Sequence, residues 1–135
     1  MKNHAVIVLK NDNKILFIQR SATKKSLPNM WAFPSGTMEE GESKERTIIR
    51  ESKEELGIDV SIEKELAEID LPELESRLYF IVCKSDFFED IICDPAEIQD
   101  MKWMTFEDFF NEYDDNHIGH GLIYLRKHPE IWQKI

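Results

Sequence analysis

Residues 36–58 read GTMEEGESKERTIIRESKEELGI, and within them one spacing stands out: Gly36-x5-Glu42-x7-Arg50-Glu51-x2-Glu54-Glu55-x-Gly57-Ile58. On a helix over 43–56, at 100° per residue, Glu51, Glu54 and Glu55 fall within about 100° of arc. Three carboxylates therefore share one face, while Ile48, Ile49 and Leu56 group on the other side as a stripe for the core. The acidic face carries a cost. Glu51 and Glu55, four apart, repel by roughly 0.2 to 0.5 kcal/mol, and Arg50 reaches Glu54 to relieve part of it. A hard divalent cation would reverse the sign. Ser43 is the expected N-cap, and Gly57 the left-handed residue that closes the helix.

Working outward, His4 to Leu9 and Lys14 to Arg20 are apolar runs around the turn residues Asn11-Asp12-Asn13 and read as a hairpin. Residues 21–30 read as a surface loop leading into a short extended piece, Trp31-Ala32-Phe33-Pro34, ended by Pro34. Val60 to Asp70 and Arg77 to Lys84 are two further strands with Pro72 in the turn between them. Leu78 to Cys83 is nearly continuous in apolar residues, so that strand should be central. An acidic loop over 85–100 precedes a short strand, Met101 to Met104. Thr105 with Asp108 resembles a capping box opening a helix at Phe106 to Tyr113, and a last helix is expected at about 122–128. Composition alone says only α/β or α+β.

The 135 residues suffice for one core, so a single domain over 1–135 is expected. No run reaches the ~18 to 20 apolar residues of a membrane span, and Met1 to Lys10 lacks the pattern of a signal peptide. A cytoplasmic protein is expected. The net charge of -10 argues against long nucleic acid as a partner. Cys83 and Cys93, without metal-ligand spacing, read as two reduced, buried thiols. Trp31, Phe33, Tyr79 and Trp103 read as packing residues. His4, His117, His120 and His128 show no ligand spacing beyond a loose pair at 117 and 120. Phe87-Phe88 and Phe109-Phe110, taken as exposed aromatic segments, make a homodimer reasonable.

The spacing over 36–58 resembles the Nudix box of the Nudix hydrolase superfamily. Its seven glycine, arginine and glutamate positions match by chance at roughly 10⁻⁸ to 10⁻⁹ per start. Ser52 departs from the family pattern, standing where an apolar residue is usual; its hydroxyl is expected to back-bond to the Ile48 carbonyl. The resemblance implies an α/β fold of the Nudix type, an α/β/α sandwich with a curved mixed β-sheet. It also implies Mg²⁺-dependent, or Mn²⁺-dependent, hydrolysis of a phosphoanhydride in a small nucleotide substrate, a nucleoside di- or triphosphate or a related conjugate. Carried over residue by residue, it makes Glu51, Glu54 and Glu55 metal ligands, one of them acting through water as general base. Gly36 would offer its carbonyl to the metal, and Arg50 and Glu42 would orient the ligands. Glu97, six residues before Trp103, is the candidate for a further carboxylate ligand, against a reading as one solvated acid among Asp90, Asp94 and Asp100.

The stretch Leu16 to Arg20, followed by Phe33-Pro34-Ser35-Gly36, resembles MutT-type nucleotide pyrophosphatases and offers Arg20 as a phosphate contact, with a surface salt bridge as the alternative. Ser21 replaces the second arginine and Ser35 the first glycine of that pattern. Two other readings remain: an isopentenyl-diphosphate-isomerase-like enzyme, from Arg20 through Trp31, and a non-catalytic nucleotide sensor. The sensor is disfavoured because such proteins usually lose box glutamates.

Overall fold

The computed structural model describes residues 1–135, whose contacts group into two compact units, each drawn from two stretches of chain. No helix is long and apolar enough to cross a membrane.

The first unit comprises Met1–Leu9 and Pro34–Ile92. Strand β1 (Lys2–Asn11) contributes Ala5 to Leu9, all buried. The turn residue Asp12 adopts a left-handed φ of 54° before β2 (Lys14–Arg20) begins, but these strands pair only at Lys10↔Ile15 and Asn11↔Lys14. The expected hairpin is thus confined to its tip. A two-residue strand β3 (Trp31–Ala32) is followed, past Pro34, by β4 (Ser35–Thr37), which pairs antiparallel with β1 through His4↔Thr37, Ala5↔Gly36 and Val6↔Ser35. Helix α1 (Lys44–Leu56) follows, then β5 (Ser61–Leu71), a 3₁₀ turn at Pro72–Leu74, and β6 (Ser76–Lys84). Strand β6 runs parallel to β1 and antiparallel to β5, so this unit holds a mixed sheet in the order β4-β1-β6-β5. Phe80 to Cys83 are buried, as their unbroken apolar run requires of a strand with neighbours on both sides. The largely exposed β5 carries two bulges and the charged run Glu63-Lys64-Glu65, features that discourage further pairing at an edge. Burial pushes the Cys83 thiol up to about 12, whereas Cys93 is only half-buried, contrary to the expectation of two buried thiols.

The second unit comprises Lys10–Phe33 and Cys93–Ile135. Here β2 pairs antiparallel with β3 and with β7 (Ile98–Met104), longer by three residues than its apolar end suggested. Helix α2 (Phe106–Glu112) opens with Thr105 Oγ1 accepting from the Asp108 N–H, as expected of the cap. Helix α3 (His120–Lys127) ends before His128, and Pro129 starts a separate turn, α4 (Pro129–Trp132). The core is aromatic: Phe17 stacks on Phe109 with centroids 3.9 Å apart and on Phe33 at 5.5 Å, and Phe106 stacks on Trp132 at 5.3 Å. Phe109 is fully buried, so Phe109-Phe110 is no exposed pair; Phe87, at 48% exposure, is. Trp31 and Phe33 pack inside as expected.

Candidate active site on helix α1

Both ends of α1 are fixed by the residues the sequence nominated. Ser43 Oγ accepts from the Arg46 N–H at 3.1 Å, and Gly57, at φ 71°, donates its N–H to Lys53 O at 3.1 Å. The buried stripe is Thr47, Ile48, Ser52 and Leu56. Ile49, expected in that stripe, is 43% exposed and lies at its outer edge, while Thr47 takes an inner place.

Ser52 is fully buried, and its Oγ has no hydrogen-bond partner. The expected back-bond to Ile48 is absent. A lone buried hydroxyl costs about 1 to 3 kcal/mol.

The acidic face is organised by Arg50, whose side chain is 25% exposed. Its guanidinium forks onto Glu42, with Nε 2.8 Å from Oε2 and Nη2 2.9 Å from Oε1. Nη1 donates to Glu51 Oε1 at 2.7 Å and to Glu54 Oε2 at 3.3 Å, and Nη2 also donates to the Thr37 carbonyl at 3.2 Å. Such bidentate, charge-assisted contacts are the strong kind and hold the plane of the guanidinium as well as its position. Arg50 therefore compensates more of the cluster than Glu54 alone, the partner read from helix spacing.

Glu42 is held from three sides. Besides the Arg50 fork, its Oε1 accepts from Thr47 Oγ1 at 2.7 Å and from the Glu39 N–H at 3.1 Å. Arg50, then Thr47, then that N–H hold its carboxyl at about 2. It is a fixed anion. Thr47 and Thr37 were not nominated from the sequence; the only signal for Thr47 was a polar residue on the inner edge of the helix.

Gly36 lies against Glu51. A Cβ built on Gly36 would sit 2.1 Å from the Glu51 carboxyl carbon and 2.2 Å from its Oε1, so glycine is what lets Glu51 occupy this place. Glu51 is correspondingly enclosed, its side chain 13% exposed, whereas that of Glu54 is 59% exposed and Glu55 is half-buried. No three acidic, imidazole or thiol groups converge here in the arrangement of a finished metal cage. The donor set still suits one: hard carboxylate oxygens from one rigid helix, with the Gly36 backbone brought against Glu51, match the oxygen preference of Mg²⁺ or Mn²⁺. A shallow pocket of about 390 Å³ opens on the same helix, lined by Glu42, Glu45, Arg46, Ile49 and Arg50.

The two remaining candidates belong to the second unit. Glu97 forms an ion pair with Lys24 at 2.5 Å, and its carbonyl accepts from the Ser21 N–H. Arg20 makes no salt bridge: its Nε and Nη2 donate to the Ser26 carbonyl at 3.1 and 2.9 Å, tying down the 21–30 loop. His117 pairs with Asp114 at 2.6 Å rather than with His120.

Residues 1–125 match the NUDIX domain family. An RNA pyrophosphohydrolase of a Nitratiruptor species is 30% identical over 126 residues, covering 81% of this chain and 80% of that protein. Nudix hydrolase 2 of Arabidopsis thaliana is 27% identical over 108 residues; the alignment takes in 78% of this chain and only 39% of that relative's length. In three dimensions, the MutT protein from Methanosarcina mazei Go1 superposes with a TM-score of 0.78 over 98% of this chain and 93% of that one, at 18% identity, a likeness of fold alone. With an α/β fold of mixed sheet and flanking helices shared with that structure, and the family matched across residues 1–125, the chain belongs to the Nudix family.

Proposed function

We propose that this chain is a Mg²⁺-dependent pyrophosphohydrolase that cleaves the phosphoanhydride of a nucleoside di- or triphosphate or a related nucleotide conjugate, with water as nucleophile. The observation that carries the reading is the close approach of Gly36 to Glu51 on a helix that also presents Glu54 and Glu55. Glu51, Glu54 and Glu55 would hold the cation, with the Gly36 carbonyl as a further donor. When bound, Mg²⁺ supplies neutralisation of phosphate charge and a lowered pKa for bound water. The protein's own part is positioning. Glu42, anchored by Thr47 and the Glu39 N–H, fixes Arg50, and Arg50 fixes the carboxylates of Glu51 and Glu54. Carboxylates held in this way need little reorganisation as charge develops in the reaction. The name of the Nitratiruptor relative, an RNA pyrophosphohydrolase, supports anhydride cleavage as the reaction type.

A panel of nucleoside triphosphates, dinucleoside polyphosphates and nucleotide sugars, incubated with Mg²⁺, tests the proposal. Product should appear with at least one class, vanish with chelator, and fall about 100-fold or more in Glu54→Gln while the fold is kept. Turnover that survives Glu54→Gln undiminished would overturn it.

A further inference from the structure

His4 is connected to Arg50 through a single residue. It faces Thr37 across the β1–β4 ladder, with Nδ1 3.2 Å from Thr37 Oγ1 and Nε2 3.5 Å from Ser76 Oγ. The Ser76 hydroxyl hydrogen is committed elsewhere, to the Leu74 carbonyl at 3.0 Å. Ser76 Oγ is therefore an acceptor towards the ring, which in the neutral imidazole places the hydrogen on Nε2 and leaves Nδ1 as a lone pair for the Thr37 O–H. Thr37 is thus held by its side chain, and its carbonyl in turn accepts from Arg50 Nη2. That carbonyl is the one neutral acceptor among the partners of the guanidinium; the others, Glu39, Glu42, Glu51 and Glu54, are carboxylates. It adds a neutral backbone contact on Nη2 to the Glu42 fork that holds the guanidinium plane.

We propose that His4, as its neutral Nε2–H tautomer, is a positioning residue for the acidic face of α1: it holds Thr37, whose carbonyl orients Arg50 and through it Glu51. The link to turnover rests on the function proposed above; the His4–Thr37–Arg50 chain itself does not.

The test is a double-mutant cycle on His4→Ala and Thr37→Val, the second keeping the backbone carbonyl but removing the hydroxyl. Each single variant should lower kcat about 10-fold with KM changed less than about twofold. The double variant should be no worse than either, because both cut the same link. His4→Asn, whose Oδ1 can accept from the Thr37 hydroxyl, should recover most of the loss. Nitrogen-15 NMR reads the chain without catalysis: the wild type should show the Nε2–H tautomer, and exchange of the Arg50 Nη–H groups should rise equally in both single variants and the double. An Nδ1–H tautomer, additive losses, or Arg50 exchange unmoved by Thr37→Val would overturn the proposal. If the wild type turned over no nucleotide, the proposed function would fall while the NMR arms still decided this one.

Discussion

Gly36 and Glu51 compete for the same space: a Cβ on the first would lie 2.1 Å from the carboxyl carbon of the second. The atoms in the way belong to the far end of a flexible side chain, so the fold can survive the clash by letting Glu51 swing aside. Gly36→Ala is therefore expected to cost about 1 kcal/mol of stability, the low end for overpacking, while Mn²⁺ affinity falls about 10-fold or more. Thermal unfolding alongside Mn²⁺ titration by electron paramagnetic resonance separates the two effects. Unchanged affinity would mean that Glu51 does not need its present place.

Glu42 gives the molecule an acid sensitivity of known sign. Its carboxyl is held at about 2, below its ordinary 4.5, by Arg50, Thr47 and the Glu39 N–H. A carboxylate depressed on folding contributes stability that is complete above the unfolded value and is lost as pH falls through the folded one. The wild type should lose stability progressively from pH 4.5 down to about 2, and Glu42→Gln should flatten that part of the curve. Melting temperature against pH in both proteins checks it; parallel curves would contradict it.

Ser52 offers a stabilising substitution. Its buried hydroxyl has no partner, and Ala removes the oxygen while keeping the Cβ. Ser52→Ala should raise stability by about 1 kcal/mol, or roughly 4 °C in melting temperature. A destabilised variant would show that the oxygen is better accommodated than its lack of a hydrogen bond implies.

The elements legible in the sequence are those whose signals are local. Helix α1 announces both of its ends through Ser43 and Gly57, and β6 announces its central place through an unbroken apolar run. What escaped depends on distant chain. Strand β4 is three residues long, and its partners His4 to Val6 lie some thirty residues earlier, so nothing near Ser35 marks it. The C-terminal helix expected at 122–128 is α3 in the structure, beginning two residues earlier, and α4 follows because Pro129 starts a new turn. Helix spacing paired Arg50 with Glu54, but the path of residues 37–42 brings Glu42 and the Thr37 carbonyl to the same guanidinium. Periodicity also treated Ile49 as core and gave Ser52 a bond, since angle alone does not say how close the sheet comes.

The most direct test of the central claim is the anomalous signal from a crystal soaked in a manganese salt. A Mn²⁺ peak coordinated by carboxylate oxygens of Glu51, Glu54 and Glu55, with Arg50 still forked onto Glu42, is the expected result. Carboxylates left on Arg50 and open solvent, with no Mn²⁺ bound among them, would contradict it.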